Sequence, residues 1–337
     1  MSDHDTDSQM KAPKPSTRTR RLGFLFGILL LIGAAIYLIS DPESLKEFTE
    51  KIAHAPRWAG IVVVFGPIVN WLFVGLCLHA LMRRHGEVGR REMLALVGSA
   101  WLLNHLPMRP GLVGRIGYHA KINQIRVRDS IGASIWSMVL AGFANAIAIG
   151  VVLLIPSDTP LIQLIGYLAI PLGVFALVSF GAFQVSEKQG FLVLGLLFRN
   201  ADLLVWMIRY AAAFTLLGFE ITPMQIVVIT AVSQVAQVIP ITGGGLGLRE
   251  WGVGIAAGMA SKTTSVTMRS AIAADVINRV AETIIVIPLG IICTGIVARN
   301  WNQWNPESDE NDDQNDNQSD KVTEVLSEDQ SVRHTQG

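Results

Sequence analysis

Two segments interrupt apolar stretches with proline and glycine, and both carry arginine. Residues 106–115 read Leu-Pro-Met-Arg-Pro-Gly-Leu-Val-Gly-Arg, and residues 239–250 read Ile-Pro-Ile-Thr-Gly-Gly-Gly-Leu-Gly-Leu-Arg-Glu. A guanidinium holds two oxygens of a phosphate in a planar fork. A helix that starts after a glycine-rich turn presents free N–H groups at its positive end, which attract the same kind of ion. We therefore expect an anion site in each break, one on each side of a membrane. The predicted contacts are Arg109, Arg115, Gly243, Gly244, Gly245, Gly247, Arg249 and Glu250.

A second group of charges lies inside the last apolar stretch of the chain. Asp275, Arg279 and Glu282 are spaced four and three residues apart, so they share one helix face. Charged side chains within a membrane helix almost always face the bundle interior. Two interpretations stay open: a buried ion cluster that locks helices together, or a group that gates or relays protons or head groups. Asp202 and Arg209, seven residues apart, also share a face.

Other kinds of chemistry find no support in the residue pattern. Gly243-x-Gly245 lacks the third glycine of a G-x-G-x-x-G fingerprint because position 248 is leucine, and no Gly-Lys-Ser/Thr follows it. The two cysteines, Cys77 and Cys293, lie in apolar runs without a C-x-x-C or Cys/His cluster. We therefore predict no catalytic residues, no metal site and no cofactor.

The elements that position these residues follow from the composition. Half of the residues are apolar and 16% are charged, whereas an average soluble domain has about 25% charged residues. This balance is typical of an integral membrane protein. A secretory signal is the alternative for the first apolar stretch, but that stretch is long and no small-x-small cleavage site follows it. Six stretches are long enough to cross a bilayer: 22–39, 58–82, 131–155, 161–183, 203–219 and 270–298.

Two further apolar stretches, 94–106 and 224–239, are too short to cross and end at the two breaks. Three full spans separate the breaks, so the second break enters the membrane from the side opposite to the first. Matched broken segments of opposite orientation are typical of an inverted repeat and point to a binding site near the midplane. The alternative is that both breaks are loops between full helices, with interfacial arginines. A short apolar piece, 190–198, is expected at the interface.

The sequence thus predicts an all-α polytopic membrane protein with six full spans and two re-entrant segments. Lysine and arginine concentrate in the segments before residue 128 that lie between the expected spans on one side. The positive-inside rule places these segments in the cytoplasm. We expect a disordered basic N-terminus over 1–21, a transmembrane domain over 22–300 and a disordered acidic tail over 301–337. Both termini are predicted to be cytoplasmic, and the expected location is the inner membrane.

The two breaks resemble the lysylphosphatidylglycerol synthase transmembrane-region family, a flippase-like family of membrane proteins. The first motif of the resemblance consists of Asn104, Pro107, Gly111 and Arg115. The second consists of Pro240, the run Gly-Gly-Leu-Gly-Leu-Arg-Glu at 244–250, and an arginine such as Arg279 on the next helix. The resemblance covers roughly residues 20–300. One departure is Leu112, which stands where the family often has an acidic residue.

The resemblance implies a lipid-handling membrane domain. In multifunctional members this domain translocates aminoacylated phosphatidylglycerol that a fused soluble synthase makes. Only a polar tail follows the last span here, so we expect no synthase domain in this chain. Stand-alone relatives are associated with glycolipid or hopanoid pathways, which leaves the head group open.

The leading prediction is a flippase-like transporter of a membrane lipid with an anionic phospho- or glyco-head group. Its expected partners are membrane lipids and not nucleic acid. Arg115 and Arg249 would bind the phosphate in alternating states. One alternative is a membrane-embedded lipid transferase or aminoacyl-lipid synthase. Another is a non-catalytic partner that recruits a cytoplasmic lipid or glycan biosynthetic enzyme through the acidic tail.

Overall fold

A computed structural model describes residues 17–106, 110–156, 159–239, 243–260 and 266–303. Over these residues the chain is helical, without β-strands, and a short 3-10 turn, Gly243–Gly245, precedes the tenth helix. Two compact units divide after Thr294, and residues 295–303 are the described part of the second. The helices are α1 (Thr17–Ile39), α2 (Pro42–His54), α3 (Arg57–Met82), α4 (Arg90–Leu103), α5 (Pro110–Lys121), α6 (Val127–Leu154), α7 (Leu161–Val185), α8 (Glu187–Leu216), α9 (Pro223–Val238), α10 (Leu248–Ala260) and α11 (Met268–Gln303).

Six of these helices, α1, α3, α6, α7, α8 and α11, are long and apolar enough to cross a membrane. They are the helices that contain the six predicted spans. Much of their surface is apolar and faces outward: Leu154 is 87% exposed and Leu177 is 76% exposed. Such a surface is stable in lipid and not in water. The chain is therefore a multi-pass, all-helical membrane protein, as the sequence predicted.

Helix α8 corrects the expected boundaries. The sequence predicted an interfacial piece over 190–198 and a separate span over 203–219, but one continuous helix of 30 residues contains the first and the second as far as Leu216. The polar residues that suggested a break have partners inside the protein, both within α8 and on the neighbouring helices α3 and α6. Arg199 pairs with Asp202 at 3.0 Å, and the Asn200 amide donates to the Leu196 carbonyl at 2.9 Å. An ion pair one turn apart needs no interruption of the backbone.

The two sequence breaks separate short helices. Helix α4 ends at Leu103 and α5 begins at Pro110, while α9 ends at Val238 and α10 begins at Leu248. Pro107 and Pro240 lie outside the described residues. At about 1.5 Å per residue, α4 with 14 residues and α9 with 16 residues are shorter than a hydrocarbon core of about 30 Å. Each break therefore joins two helices that are individually too short to span.

Close backbone contacts fold each short pair into a hairpin. A Cβ on Gly111 would lie 2.3 Å from the Ala100 carbonyl oxygen, so α5 can approach α4 only because residue 111 is glycine. A Cβ on Gly245 would lie 3.0 Å from the Ala236 carbonyl oxygen, across the second break. Small residues allow this distance between membrane helices. In both hairpins a glycine at or after the break thus lets the chain approach the helix that precedes the break.

Helices α3 and α8 pack against each other along their length and form the centre of the fold. Gly66 of α3 makes room for the buried Arg209 side chain of α8, whose Cδ would lie 2.6 Å from an added Cβ. Gly75 of α3 similarly accommodates Leu94 of α4. Glycine at these positions lets α3 contact both the central charged side chains and the first hairpin.

A polar clamp joins the start of α11 to the junction of α1 and α2. Arg269 forms an ion pair with Asp41, the N-cap of α2. The Ser44 hydroxyl and backbone amide also donate to Asp41, and together with Arg269 they hold the pKa of this carboxyl below its usual value. The clamp fixes the start of the helix that carries Asp275, Arg279 and Glu282.

Candidate functional site

A cavity of about 700 Å³ lies between the two hairpins and helices α3, α6, α8 and α11. Its volume is within the range of small-molecule binding sites, about 300–1,000 Å³. Apolar side chains such as Leu78 and Met138 form part of its wall. Arginines line another part of the wall: Arg115, Arg199, Arg249 and Arg279. The cavity therefore has both a hydrocarbon-like and a cationic side.

Both breaks reach this one cavity. Asn104 and His105, at the end of α4, line it together with Gly244. A Cβ on Gly244 would lie 3.9 Å from the Asn104 carbonyl oxygen, so the two hairpin tips are in contact distance. The sequence predicted an anion site in each break, on opposite sides. The structure places Arg115 and Arg249 along one shared cavity, because the tips converge.

Arg115 is held by a neutral partner. Its Nη2 donates to the Ser134 hydroxyl of α6 at 2.7 Å, and Ser134 in turn donates to the Ser130 carbonyl. Among the described residues, no carboxylate lies within 4.0 Å of the Arg115 guanidinium. Arg115 is partly exposed and lines the cavity. Its positive charge is therefore not neutralised by a direct ion pair.

A partly buried series of hydrogen-bonded polar groups fixes the helix that carries Arg115. His119, one turn further along α5, is fully buried and hydrogen bonds through Nδ1 with Asn123 Oδ1 at 2.9 Å. The Asn123 amide donates to Glu92 of α4 at 3.1 Å. Buried groups with such partners hold a fixed geometry. These hydrogen bonds keep α5 against α4, with Arg115 facing α6.

Arg199 is a site residue that the sequence reasoning missed. Its Nε donates to the Ser137 carbonyl at 3.1 Å, its Nη2 to the Ser137 hydroxyl at 2.8 Å, and its Nη1 to Asp202 at 3.0 Å. Asp202 also accepts from the Asn70 amide at 2.7 Å. Because the sequence suggested a break near position 199, the residue looked like part of a connection. The three-residue spacing of Arg199 and Asp202 inside an apolar run was the available signal.

Arg249 is bound very differently from Arg115. It is 1% exposed, and its Nε and Nη1 pair with Asp275 at 3.0 Å and Glu282 at 3.1 Å. The Tyr210 hydroxyl donates to Asp275 at 2.5 Å. Two turns of α11 thus present both carboxylates to one guanidinium of α10. The charges cancel locally, and the ion pairs join the two helices.

Glu250 and Arg279 form a second connection between α10 and α11. Arg279 Nε lies 2.5 Å from Glu250 Oε1, and Glu250 is fully buried. Arg279 Nη2 donates to the Gly244 carbonyl at 3.1 Å. The charged face predicted for α11 therefore contacts the start of α10 and the glycine turn before it.

Arg209 is a fifth arginine next to the cavity. It is fully buried and donates to Asn70 Oδ1 at 2.9 Å and to the Asn278 carbonyl at 3.3 Å. Its guanidinium carbon lies 4.3 Å from the centre of the Trp206 ring. A cation over an indole face is attracted by the ring quadrupole. The hydrogen-bond partners of Arg209 are thus neutral groups, and its side chain supports the wall behind the cavity.

The site carries more positive than negative charge. In the described part of the chain five arginines (Arg115, Arg199, Arg209, Arg249, Arg279) meet four carboxylates (Asp202, Glu250, Asp275, Glu282), an excess of one positive charge. An arginine at the centre of a membrane helix costs about 2.5–3.5 kcal/mol on insertion scales. Of the two arginines without a carboxylate partner, Arg115 is the one that lines the cavity. The excess charge is therefore accessible to an anion at Arg115.

The structure distributes the predicted contacts unevenly. Arg109 lies outside the described residues, and Gly243 begins the 3-10 turn. Gly244, Gly245 and Gly247 all have positive φ, between +58° and +76°, a conformation that glycine adopts without strain. Gly245 packs against α9 and Gly247 against α1, so these two shape the turn, whereas Gly244 lines the cavity.

No group of three or more His, Cys, Asp or Glu in the described ranges is arranged to hold a metal ion. Comparison of the chain with family models, with curated proteins and with solved structures finds no match. The resemblance of the two breaks to the lysylphosphatidylglycerol synthase transmembrane-region family therefore rests on the motifs themselves.

Proposed function

We propose that this chain is a flippase-like transporter that moves a lipid with an anionic head group between membrane leaflets. In this proposal it is a stand-alone member of the lysylphosphatidylglycerol synthase transmembrane-region family. The observation that supports it is a single cavity in which an unneutralised arginine and two broken hairpins meet an apolar wall. An amphipathic cavity inside a membrane bundle suits a molecule with a charged head and hydrocarbon chains.

The head-group phosphate would bind between Arg115 and Arg199. Both guanidinium groups hydrogen bond with serines of α6 that lie three residues apart, Ser134 and Ser137. Two unit charges 4 Å apart attract by about 4 kcal/mol at an effective dielectric constant of 20. The charge of Arg115 would act on the phosphate alone, because no carboxylate pairs with it in the described structure. Arg199 already pairs with Asp202, so its attraction for the phosphate would be weaker. The acyl chains would lie along the apolar wall.

Arg249 has a different place in the proposal than the sequence suggested. Its guanidinium is already occupied by Asp275 and Glu282. It would bind a phosphate only in a second state, in which α10 shifts and the lipid replaces one carboxylate. The ion pairs of Asp275, Arg279 and Glu282 would then act as the gate between two states.

The topology belongs to the proposal as well. The hairpins α4–α5 and α9–α10 would be re-entrant segments that enter from opposite sides and form an inverted repeat. Basic residues such as Arg83, Arg84 and Arg90 near the first hairpin would place it, and both termini, in the cytoplasm of a cell with an inner membrane.

Cysteine labelling tests this topology. Cys77 and Cys293 are buried, so background labelling in the parent chain should be low. We expect Arg91→Cys and Arg126→Cys, at exposed positions flanking the first hairpin, to react with a membrane-impermeant maleimide from one side. Glu220→Cys and Thr267→Cys, which flank the second hairpin, should react from the other side. Reaction of Arg91→Cys and Arg126→Cys from different sides would contradict a re-entrant first hairpin.

Transport is tested in proteoliposomes. Fluorescent phosphatidylglycerol, quenched from outside with dithionite, should cross faster in vesicles with the wild-type chain than in empty vesicles. Arg115→Gln keeps a polar side chain next to Ser134 but removes the charge, and should slow translocation at least about tenfold, equivalent to about 1.4 kcal/mol. Arg91→Gln, at an exposed position, is the matched control. The absence of translocation above empty vesicles with several anionic lipids would overturn the proposal.

A further inference from the structure

The cavity has a third kind of wall, made of neutral amide side chains. Asn104 of the first break, Asn145 of α6 and two glutamines of α9, Gln234 and Gln237, line it. Trp101 lines it as well. Amides offer both donors and acceptors and carry no charge. Hydroxyl groups, which also donate and accept, are the natural partners of such a set.

These amides have unused hydrogen-bonding capacity. Asn145 donates to the Ala141 carbonyl at 2.8 Å and to Gln234 Oε1 at 3.1 Å. Asn145 Oδ1, Gln234 Nε2 and Asn104 Oδ1 are buried and have no hydrogen-bond partner in the described structure. A buried polar atom without a partner costs about 1–3 kcal/mol. A polar ligand that engages these atoms would remove that cost.

Along α6, Asn145 lies apart from the serines that bind Arg115 and Arg199. Ser137 binds Arg199, and Asn145 follows eight residues later on the same helix. At about 1.5 Å per residue, the two levels differ by about 12 Å along the helix axis. A head group that contacts both levels must be elongated beyond its phosphate. A sugar or polyol phosphate meets this requirement, and a bare phosphate monoester does not.

The cavity also offers little to an ammonium group. Each carboxylate at the site already pairs with an arginine: Asp202 with Arg199, Asp275 and Glu282 with Arg249, and Glu250 with Arg279. A cationic head group would have to compete with these buried ion pairs, and breaking one by removing a partner costs about 3–5 kcal/mol. The described site therefore disfavours an amine in the head group.

We infer that the cavity selects an anionic lipid whose head group continues from the phosphate into hydroxyl groups, as in a glycosyl or polyol phosphate, and not into an amine. Arg115 and Arg199 hold the phosphate, and Asn145 and Gln234 hold the hydroxyls. This inference rests on the proposed function, because it names the lipid that the proposed transporter takes.

Lipid binding to the detergent-solubilised full chain tests the inference by native mass spectrometry. Phosphatidylinositol, phosphatidylserine and phosphatidic acid with identical acyl chains are compared. Beyond the phosphate, phosphatidylinositol carries a hydroxylated ring, phosphatidylserine carries an ammonium and a carboxylate, and phosphatidic acid carries nothing. We expect phosphatidylinositol to bind about tenfold tighter than the other two, which is about 1.4 kcal/mol.

Two variants separate the phosphate contacts from the amide contacts. Gln234→Leu should reduce phosphatidylinositol affinity to that of phosphatidic acid and leave phosphatidic acid binding unchanged. Arg115→Gln should weaken all three lipids. Asn145→Leu repeats the first test should Gln234→Leu fail to fold. Gln163→Leu, the same substitution at an exposed position of α7 that does not line the cavity, is the matched control.

The outcomes distinguish this inference from the proposed function. Equal affinity for phosphatidylinositol and phosphatidic acid, or tighter binding of phosphatidylserine, overturns the inference while anionic lipid binding stands. Non-saturable binding of every lipid overturns the proposed function itself. Inositol 1-phosphate is the last arm: binding as tight as that of the lipid would show that the site recognises a soluble sugar phosphate instead of a lipid.

Discussion

Arg115 and Arg249 occupy corresponding places in the two hairpins. Each lies on the short helix that follows a break, and each bonds to the long helix that comes next, α6 or α11. Their partners differ: Arg115 meets the hydroxyl of Ser134, whereas Arg249 meets Asp275 and Glu282. Similar positions therefore hold one charge that is exposed to a ligand and one that is neutralised.

This difference separates binding from stability. Replacing both members of a buried ion pair with apolar residues often changes the stability of a protein little. Removing only one member leaves the other charge buried and unpaired, and this is strongly destabilising. Arg249 is thus needed for stability, because it neutralises two buried carboxylates. In the described structure Arg115 has no carboxylate partner, so its removal should weaken the binding of an anionic ligand more than it reduces the stability of the fold. Four predictions test this contrast and the matching contrast between the glycines of the two breaks.

The largest expected effect is that of Arg249→Gln on stability. The substitution leaves Asp275 and Glu282 buried without their cation, and we expect a loss of about 3–5 kcal/mol in the free energy of unfolding. Arg115→Gln should change it by less than about 1 kcal/mol, because it breaks no ion pair. Denaturant unfolding in detergent, followed by tryptophan fluorescence, measures both. Equal losses for the two variants would remove the distinction between the hairpins.

Gly111→Ala should come next. The added Cβ would lie 2.3 Å from the Ala100 carbonyl oxygen, and separating α4 from α5 should cost about 1–3 kcal/mol. Gly114→Ala, on the same helix, is the matched control because a Cβ there has no neighbour within 4 Å. We expect that control to gain about 0.5–1 kcal/mol from helix propensity. The same unfolding experiment measures both variants. Similar free energies of unfolding for the two would contradict a close α4–α5 contact.

Ser134→Asp should make the first hairpin resemble the second. The new carboxylate would pair with Arg115 and neutralise it, so anionic lipid affinity should fall about tenfold, or about 1.4 kcal/mol. Ser134→Asn, which adds a neutral group of similar size, should reduce it much less. Native mass spectrometry with phosphatidylglycerol reports both affinities. Unchanged affinity in Ser134→Asp would show that the Arg115 charge is not used.

Gly244→Ala should reduce the free energy of unfolding less than Gly111→Ala does. Glycine is needed at position 244 because its φ is +58°. Space does not require it, since the nearest atom to an added Cβ is 3.9 Å away. A left-handed alanine costs about 1–2 kcal/mol, less than the clash expected at Gly111. Gly244→Asn should lose less than Gly244→Ala, because asparagine tolerates this conformation. A larger loss for asparagine would indicate that space, as in the first hairpin, limits this position.

The sequence predicted the six spans and the position of both breaks because these depend on local properties. The length of an apolar run decides whether a helix can cross a bilayer, and proline or glycine interrupts a helix wherever it occurs. The charged face of α11 was predictable for the same reason, since helical spacing places Asp275, Arg279 and Glu282 on one side. The break predicted near positions 199–202 was wrong, because these residues lie inside the continuous helix α8. Their polarity suggested a connection only as long as their partners on other helices were unknown.

The partners of the charged residues were decided only by the tertiary structure. Arg249 meets carboxylates 26 and 33 residues away, Arg199 meets a serine 62 residues away, and Asn70 reaches Asp202 across 132 residues. Spacing along one helix cannot tell which arginine will be neutralised and which will face a cavity. That outcome depends on how α3, α6, α8 and α11 pack around the two hairpins, because electrostatic pairing acts over a few ångströms in space whatever the distance along the chain.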